Sequence, residues 1–410
     1  MAAPYPMSTL SKVIRDMRAL SHRIHWIILW FTGGIPIIAI IFGILWVPLQ
    51  SQTAIFAAMY ATCSGISVTA GYHRLWAHRA YKAGTFLKIA LAILGASAGQ
   101  ASIRTWCRDH RAHHRYTDTD RDPYSAQKGL FYSHYGWVVI RRKPEQTGRV
   151  DLQDLTSDPI VMWQRKYYLA LLFLTVYVFP TLFCGYKYGD FAGGFIWASC
   201  IRLFIIQQGT FCVNSLAHWV GDQPFASRLS PRNCWFVALI TWGEGYHNFH
   251  HEFPIDYRNG IRWFQWDPTK WFIWLCEKVN LASDLKRFPE NEIQKGKFQQ
   301  AQRQLELQRQ EISWATLINE LPILSFDEYA EHVKNGRFLL VIDGVAHDVE
   351  DFVGRHPGGE KFLLEYIGRD ATKLFHGGTI HAHSNAAENL LSTMRFARIV
   401  GSDHCEEKII

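Results

Sequence analysis

Nineteen histidines occur in the chain, and nine of them fall in four places: His73 and His78; His110, His113 and His114; His218; and His247, His250 and His251. The second and fourth groups share the spacing i, i+3, i+4, which on an α-helix puts three imidazoles on one face. Such a face can grip a metal. Neutral imidazole is a good ligand for iron, copper, nickel and zinc, and holding two cations without thiolates takes about this many nitrogens. Asn214 lies one turn before His218 and offers an oxygen, directly or through water. His73 and His78 fit less well, because five residues turn about 140° past each other on an ideal helix. One of them must reach round, or the helix must end there. A solitary histidine on an apolar helix is ordinarily a satisfied core residue, and one His-x-x-His-His is as readily a solvated cluster. Two such triplets just outside apolar spans, on the same side, favour a metal site. His22, His25, His134, His332, His347 and His404 have no comparable partners and read as interface or surface residues. The eight cysteines include no Cys-x-x-Cys pair, so neither a cysteine zinc site nor a disulfide framework is supported and reduced thiols are expected.

The elements that must position these histidines are long and apolar. Residues 26–49 carry no charge and, at 1.5 Å per residue, cross roughly 30 Å of hydrocarbon. They are too long for a signal-peptide core and lack a small-residue cleavage site. Further spans are expected at about 52–72, 168–186 and 193–217, the last with Arg202 as its only charge. Residues 85–103 are apolar but end in polar residues, and read equally as a short buried or re-entrant helix or as a fifth span. Lys and Arg are sparse in the turns at 48–53 and 186–192 and abundant at the N-terminus, in the 73–166 loop and after 218. By the positive-inside rule both termini and the large loop are cytosolic, which requires an even number of spans; four satisfies it.

The 410 residues suggest two to three domains, and 26 Phe, 17 Tyr and 16 Trp are an aromatic load typical of chains that meet lipid at both interfaces. Basic residues outnumber acidic ones 34 to 21 up to residue 317 and are outnumbered 9 to 15 beyond it. The two parts therefore carry opposite charge and can attract each other. Nucleic acid is disfavoured as a partner, since the basic residues flank apolar spans and no groove-reading motif is present. Residues 283–317 are polar and glutamine-rich and are expected to be a linker with helical tendency, between a membrane domain at 1–282 and a small domain at 318–410.

His73-Arg-Leu-Trp-Ala-His78, Arg108-Asp-His-Arg-Ala-His-His114, Asn214-Ser-Leu-Ala-His218 and Gly243-Glu-Gly-Tyr-His-Asn-Phe-His-His251 resemble, in spacing, order and flanking residues, the histidine boxes of the membrane acyl-CoA Δ9 desaturases, the stearoyl-CoA desaturase family. The resemblance implies a di-iron centre held by the nine histidines, with Asn214 contacting one iron through water. It implies an all-α membrane domain of four transmembrane helices under a cytosolic helical cap, a bent tunnel for the acyl chain, and an endoplasmic reticulum location. Removing hydrogen from an unactivated methylene needs a strong oxidant made from O2, and two irons share the electrons this demands. In the family, residues matching Arg108, Asp109, Arg141 and Arg142 contact the CoA part; Arg141-Arg142-Lys143 also reads as a solvated cluster beside a membrane. Animal relatives carry Trp where this chain has Phe211.

Towards the C-terminus, Phe338-Leu-Leu-Val-Ile, Asp343-Gly344 and Val345-Ala-His-Asp-Val read as a β-hairpin on a type I′ turn. His356-Pro-Gly-Gly359, then Gly368-Arg-Asp-Ala-Thr-Lys-Leu-Phe375 and His383-Ser384, resemble cytochrome b5, a small α+β domain whose haem iron is held by two histidines. The resemblance implies His356 as the first ligand. The 27-residue gap to His383 exceeds the usual one by about three, so His376 and His381 compete with it, while His-Ser before an Ala-rich helix matches the family pattern and favours His383. A desaturase carrying cytochrome b5 in this position is the fungal-type arrangement. Together these resemblances imply haem b, two irons, O2, an acyl-CoA substrate and an NADH-cytochrome b5 reductase as electron source. A fatty-acid or sterol hydroxylase on the same metal scaffold is the alternative. A metal transporter is disfavoured because its ligands should lie at mid-membrane, and a haem-only carrier would leave nine histidines without a purpose.

Overall fold

A computed structural model describes residues 21–378 and 382–400; His381, His404, Cys405 and the basic residues Lys12, Arg15 and Arg18 lie outside them. The chain divides into two compact units, Met1–Gln304 and Leu305–Ile410.

In the first unit, four helices among the described residues are long and apolar enough to cross a membrane: α1 (Trp26–Trp46), α2 (Ser51–Ala77), α5 (Tyr168–Tyr188) and α6 (Phe191–Trp219). Between α2 and α5 lie α3 (Thr85–Ala96) and α4 (Ile103–Tyr116). With 12 residues, α3 is about 18 Å long and cannot span; it buries Leu87, Leu91, Ala92 and Gly95 instead. The turn between α5 and α6 is made by two residues. Gly189 takes the left-handed conformation that ends α5 (φ 71°), and the Asp190 carboxylate caps α6 by accepting from the Gly193 N–H at 2.8 Å. The same carboxylate accepts from Thr53 Oγ1 at 2.6 Å, tying α6 to the start of α2. Arg202, the one charge within the α6 span, is buried and satisfied by neutral groups: Ala198 O, Ser64 Oγ and Ser97 O accept its N–H groups, and the Tyr60 ring lies 4.5 Å from its guanidinium.

Beyond α6 come the short helix α7 (His247–Glu252), α8 (Pro268–Lys278) and α9 (Glu290–Glu311). α9 occupies the segment expected to be a polar linker of helical tendency. Its first half packs on the first unit: Ile293 is buried in a cluster with Phe225, Phe249 and Phe253, and the Gln300 carbonyl accepts from Ser227 N.

The second unit holds a four-stranded sheet. Its strands stand in the order β1 (Ile323–Ser325), β4 (Arg395–Val400), β3 (Val345–Asp348), β2 (Leu339–Ile342). The β2–β3 hairpin closes on Asp343 and Gly344, both at positive φ (50° and 71°), as the expected I′ turn requires. Alternate residues of β2 enter different cores, Leu339 and Val341 with Tyr329, Leu340 and Ile342 with Val353 and Ala371. Mostly helical, with membrane-length helices in one part and a small mixed sheet in the other, the architecture agrees with the expected fold class.

Candidate metal and haem centres

α2 carries the first histidine pair at its end, and its winding answers the 140° objection. From Ser67 to Ala77 the helix is π-wound, and the His78 N–H donates to the His73 carbonyl at 3.0 Å, an i→i+5 bond. A π turn brings residues five apart onto one side. The two rings stand 4.8 Å apart, and the helix ends at His78.

α4 supplies His110, His113 and His114, α6 ends with His218, and α7 supplies His247, His250 and His251. The nine imidazoles form two groups, His73, His78, His110, His114 and His250, and His113, His218, His247 and His251; within each, the ligand atoms all lie within 4.8 Å of one another. Each triplet is therefore divided. The i, i+4 pair His110 and His114 serves one group and His113 the other, while His247 and His251 join His113 and His250 crosses over.

Nε2 atoms meet at close range: His250 lies 3.0 Å from both His73 and His114, His78 2.7 Å from His110, and His247 3.1 Å from both His218 and His251. On three of the rings the opposite nitrogen is held from outside. His73 Nδ1 lies 2.7 Å from Glu244 Oε2 and His113 Nδ1 2.9 Å from Asp122 Oδ1. His218 Nδ1 meets Ser230 Oγ at 2.7 Å, and that hydroxyl donates to Asp118 at 2.5 Å. A carboxylate or hydroxyl taking the Nδ1 proton fixes the tautomer whose Nε2 lone pair points inward. Burial, then the neighbouring imidazoles, push His78, His110, His114, His247, His250 and His251 well below the ordinary histidine range, so these rings are neutral. Burial would raise Glu244, but His73 and the Arg74 guanidinium bring it down to about 2. Arg74 Nη2 is bridged to Glu244 and Asp267, each at 2.9 Å. Converging neutral lone pairs repel one another unless a cation sits among them. The donor set, nitrogen-rich and thiolate-free, fits two iron ions.

A cavity of about 670 Å³ adjoins the groups; His73, His110, His247, Glu244 and Asn214 line it. Its walls include Phe31, Leu172, Leu203 and Phe211, and Gln100 fixes one side by donating to Thr210 at 2.7 Å and accepting from Trp106. Asp109 and Arg142 form its charged part: Asp109 holds Arg108 at 2.9 Å and Arg142 at 3.1 Å. Arg141 is not part of this group. It is exposed, and its backbone N–H donates to Arg23 O. Reading the sequence left Glu244, Asp122, Asp118, Ser230 and Arg74 without a role. Glu244 and Arg74 lie inside the quoted boxes, whereas nothing local to Asp122 or Ser230 marks them.

In the second unit, the rings of His356 and His383 face each other with centres 6.4 Å apart. Their Nδ1 atoms point to the backbone carbonyls of Gly359 and Phe375, at 3.1 and 2.9 Å. A metal between two imidazole nitrogens at about 2 Å each leaves ring centres about 6 Å apart, so the pair fits a haem iron. His376 is turned instead to Asp343, 2.9 Å away.

Residues 49–281 match the family model for fatty acid desaturase, and residues 325–400 that for the cytochrome b5-like heme/steroid binding domain. The chain is 48% identical over 383 residues to a probable acyl-CoA desaturase of Schizosaccharomyces pombe, covering 93% of this chain and 79% of that protein. It is 45% identical to acyl-CoA desaturase 1 of Saccharomyces cerevisiae, covering 92% and 74%, and 42% identical to human stearoyl-CoA desaturase 5, covering 58% and 73%. With its two imidazole groups and its paired haem-domain histidines, the chain belongs to the fatty acid desaturase family and carries a cytochrome b5-like domain after the membrane unit.

Proposed function

We propose that this chain is a membrane di-iron oxidoreductase that introduces a cis double bond at C9 of saturated acyl-CoA, stearoyl- or palmitoyl-CoA. O2 is the oxidant, and electrons pass from NADH through a cytochrome b5 reductase and the chain's own haem domain. The observation that carries this reading is the meeting of two imidazole groups with an apolar cavity in a multi-pass membrane protein of this family. His73, His78, His110, His114 and His250 are assigned to one iron and His113, His218, His247 and His251 to the other, with Asn214 beside the second. When bound, the two irons supply the redox steps by which O2 is reduced and two C–H bonds are cleaved.

The side chains do the positioning. Arg108 and Arg142, held by Asp109, meet the CoA part through charge-assisted hydrogen bonds. A saturated chain has no polar handle, so the methylenes that react are chosen by how far the cavity lets the tail run past the imidazoles. Glu244, Asp122 and the Ser230–Asp118 pair hold Nδ1 protons and thereby keep the Nε2 atoms aimed inward. In the balance, the acyl chain loses two hydrogens with their two electrons, two electrons arrive through the haem, two protons enter, and O2 leaves as two waters. His356 and His383 are assigned as the haem ligands, which makes the second unit a one-electron relay. The resemblance to the Δ9 desaturases implies an endoplasmic reticulum membrane, and the Lys and Arg distribution supports both termini and the haem domain in the cytosol.

Expression in a host that cannot make unsaturated fatty acids tests the assignment. C16 and C18 monounsaturated chains with the bond at C9 are expected in the lipids. A product heavier by one oxygen would make the enzyme a hydroxylase, and a bond elsewhere would refute the C9 assignment.

A further inference from the structure

Two segments after the last span carry an aromatic surface that nothing in the described protein covers. Trp235 and Phe236, on the short helix Trp235–Ile240, are 74% and 48% exposed; Trp263 and Phe264 are 82% and 58% exposed, and Trp274 on α8 is 46% exposed. The segments are one surface, because Trp266 Nε1 donates to Leu239 O and Trp271 Nε1 to Trp263 O.

The depth of this surface can be read from the spans beside it. Trp242 packs so closely on Gly65 that any side chain there would collide with its ring, and the Ile240 carbonyl lies 3.5 Å from where a Gly209 Cβ would stand. Thr69 Oγ1 donates to Thr269 Oγ1 at 2.7 Å, and Thr269 in turn donates to Trp242 O, so α8 is fastened at the same level. Counted from the ends of α2 and α6 that meet at Thr53 and Asp190, Gly65 lies about 21 Å and Gly209 about 27 Å along the helices at 1.5 Å per residue. Both points fall within the roughly 30 Å of hydrocarbon that a span must cross. The aromatic surface is thus level with the edge of the apolar layer, where tryptophan concentrates. Its cations are disposed accordingly, with the Arg262 guanidinium over Phe264 and Lys278 Nζ over Trp274, able to reach headgroups while the rings face the acyl boundary.

We propose that residues 235–242 and 263–279 form a lipid-facing surface seated in the interface of the leaflet that holds the His73 and His218 ends of the spans. The charge distribution puts the C-terminus on the cytosolic side; the proposal seats these segments at the edge of the membrane on that side. The proposal rests on the membrane spans and not on the reaction. Trp242 also lines the cavity and directly precedes Gly243, so the seat would hold the histidine box at 243–251 against the bilayer.

The test uses the full chain in phosphatidylcholine vesicles containing a photoactivatable lipid with its diazirine on the acyl chain, read by peptide mass spectrometry alongside hydroxyl-radical footprinting. Peptides containing Trp235 and Trp263–Trp274 are expected to take up lipid label at a level near that of the spans and at least about five-fold above peptides containing Phe298, which is 70% exposed on α9. Trp263 is expected to be protected from radical oxidation. Label no higher than at Phe298 with ready oxidation of Trp263 overturns the proposal, as does cross-linking between two copies through these peptides without lipid label.

Discussion

At the scale of single residues, the outward nitrogens of the imidazoles separate ligands from the groups that aim them. Replacing His113 or His250 by Ala removes an inward nitrogen, and is expected to abolish desaturation and lower bound non-haem iron while the protein still inserts in the membrane and keeps its haem. Iron analysis beside the haem spectrum decides it, and full activity of either variant would refute the metal assignment. Ser230 acts at one remove. Ser230→Ala should weaken iron retention or activity about 10- to 100-fold, and Ser230→Thr, which keeps the hydroxyl between His218 and Asp118, should restore most of it. Among the arginines the structure distinguishes what the sequence grouped together. Arg142→Ala should raise KM for acyl-CoA more than it lowers kcat, and Arg141→Ala should change neither by more than about two-fold, measured by steady-state kinetics. The histidines were legible because their spacing is local. Asp122 and Ser230 were not, because they reach the site by chain folding over 9 and 12 residues and belong to no periodic pattern.

Elements show a similar division between what composition dictates and what packing adds. Length and hydropathy suffice for four spans but leave residues 85–103 open as a fifth; the even number that the charge distribution requires rules it out, and the 12-residue α3 is too short to cross. They do not announce the π-wound end of α2, since winding depends on which hydrogen bonds the surroundings reward. The turn joining α5 to α6 bears a strong tie: Thr53 Oγ1 donates to the Asp190 carboxylate with both groups buried. Thr53→Val should cost about 1.5–3 kcal/mol, the range for a hydrogen bond to a charged group, visible as earlier thermal unfolding in detergent. In the second unit, His347 on β3 is buried against the Leu391 carbonyl. Burial, aided by Arg395, pushes it down to about 4, although the Leu391 bond opposes this. The folded unit resists the proton that the unfolded chain takes near pH 6.5, so the stability due to neutral His347 is full above pH 6.5 and is lost as pH falls towards 4. The loss amounts to about 3 kcal/mol at most. Acid unfolding of the haem unit, followed by haem absorbance in the full chain, should steepen over this window, and His347→Gln should remove that component.

For the whole molecule, fusion of donor and acceptor in one chain sets the expectation. Tethering keeps the haem unit at high effective concentration near the irons, and the opposite charges of the two parts steer encounter. Activity should need only a reductase and NADH, and should fall as salt rises if the encounter is electrostatic. A chain ended near residue 317 that turns over at the full rate with reductase alone would refute the relay. The His356 and His383 pairing was within reach of motif reading, yet their opposition at 6.4 Å depends on the tertiary fold that turns His376 away to Asp343.

α9 gives the joint between the units a built-in breaking point. Its first half is clamped by Ile293 and Gln300, while residues 311–314 and 316–320, at its end and beyond, are exposed and mostly without regular structure. Brief chymotrypsin or elastase treatment should therefore cut between the clamp and β1, where Trp314, Ala315 and Leu317 offer sites. The membrane fragment would leave with most of α9 attached, and an acidic, haem-coloured fragment would pass into the supernatant. Purification of each half would then need no redesign of the gene.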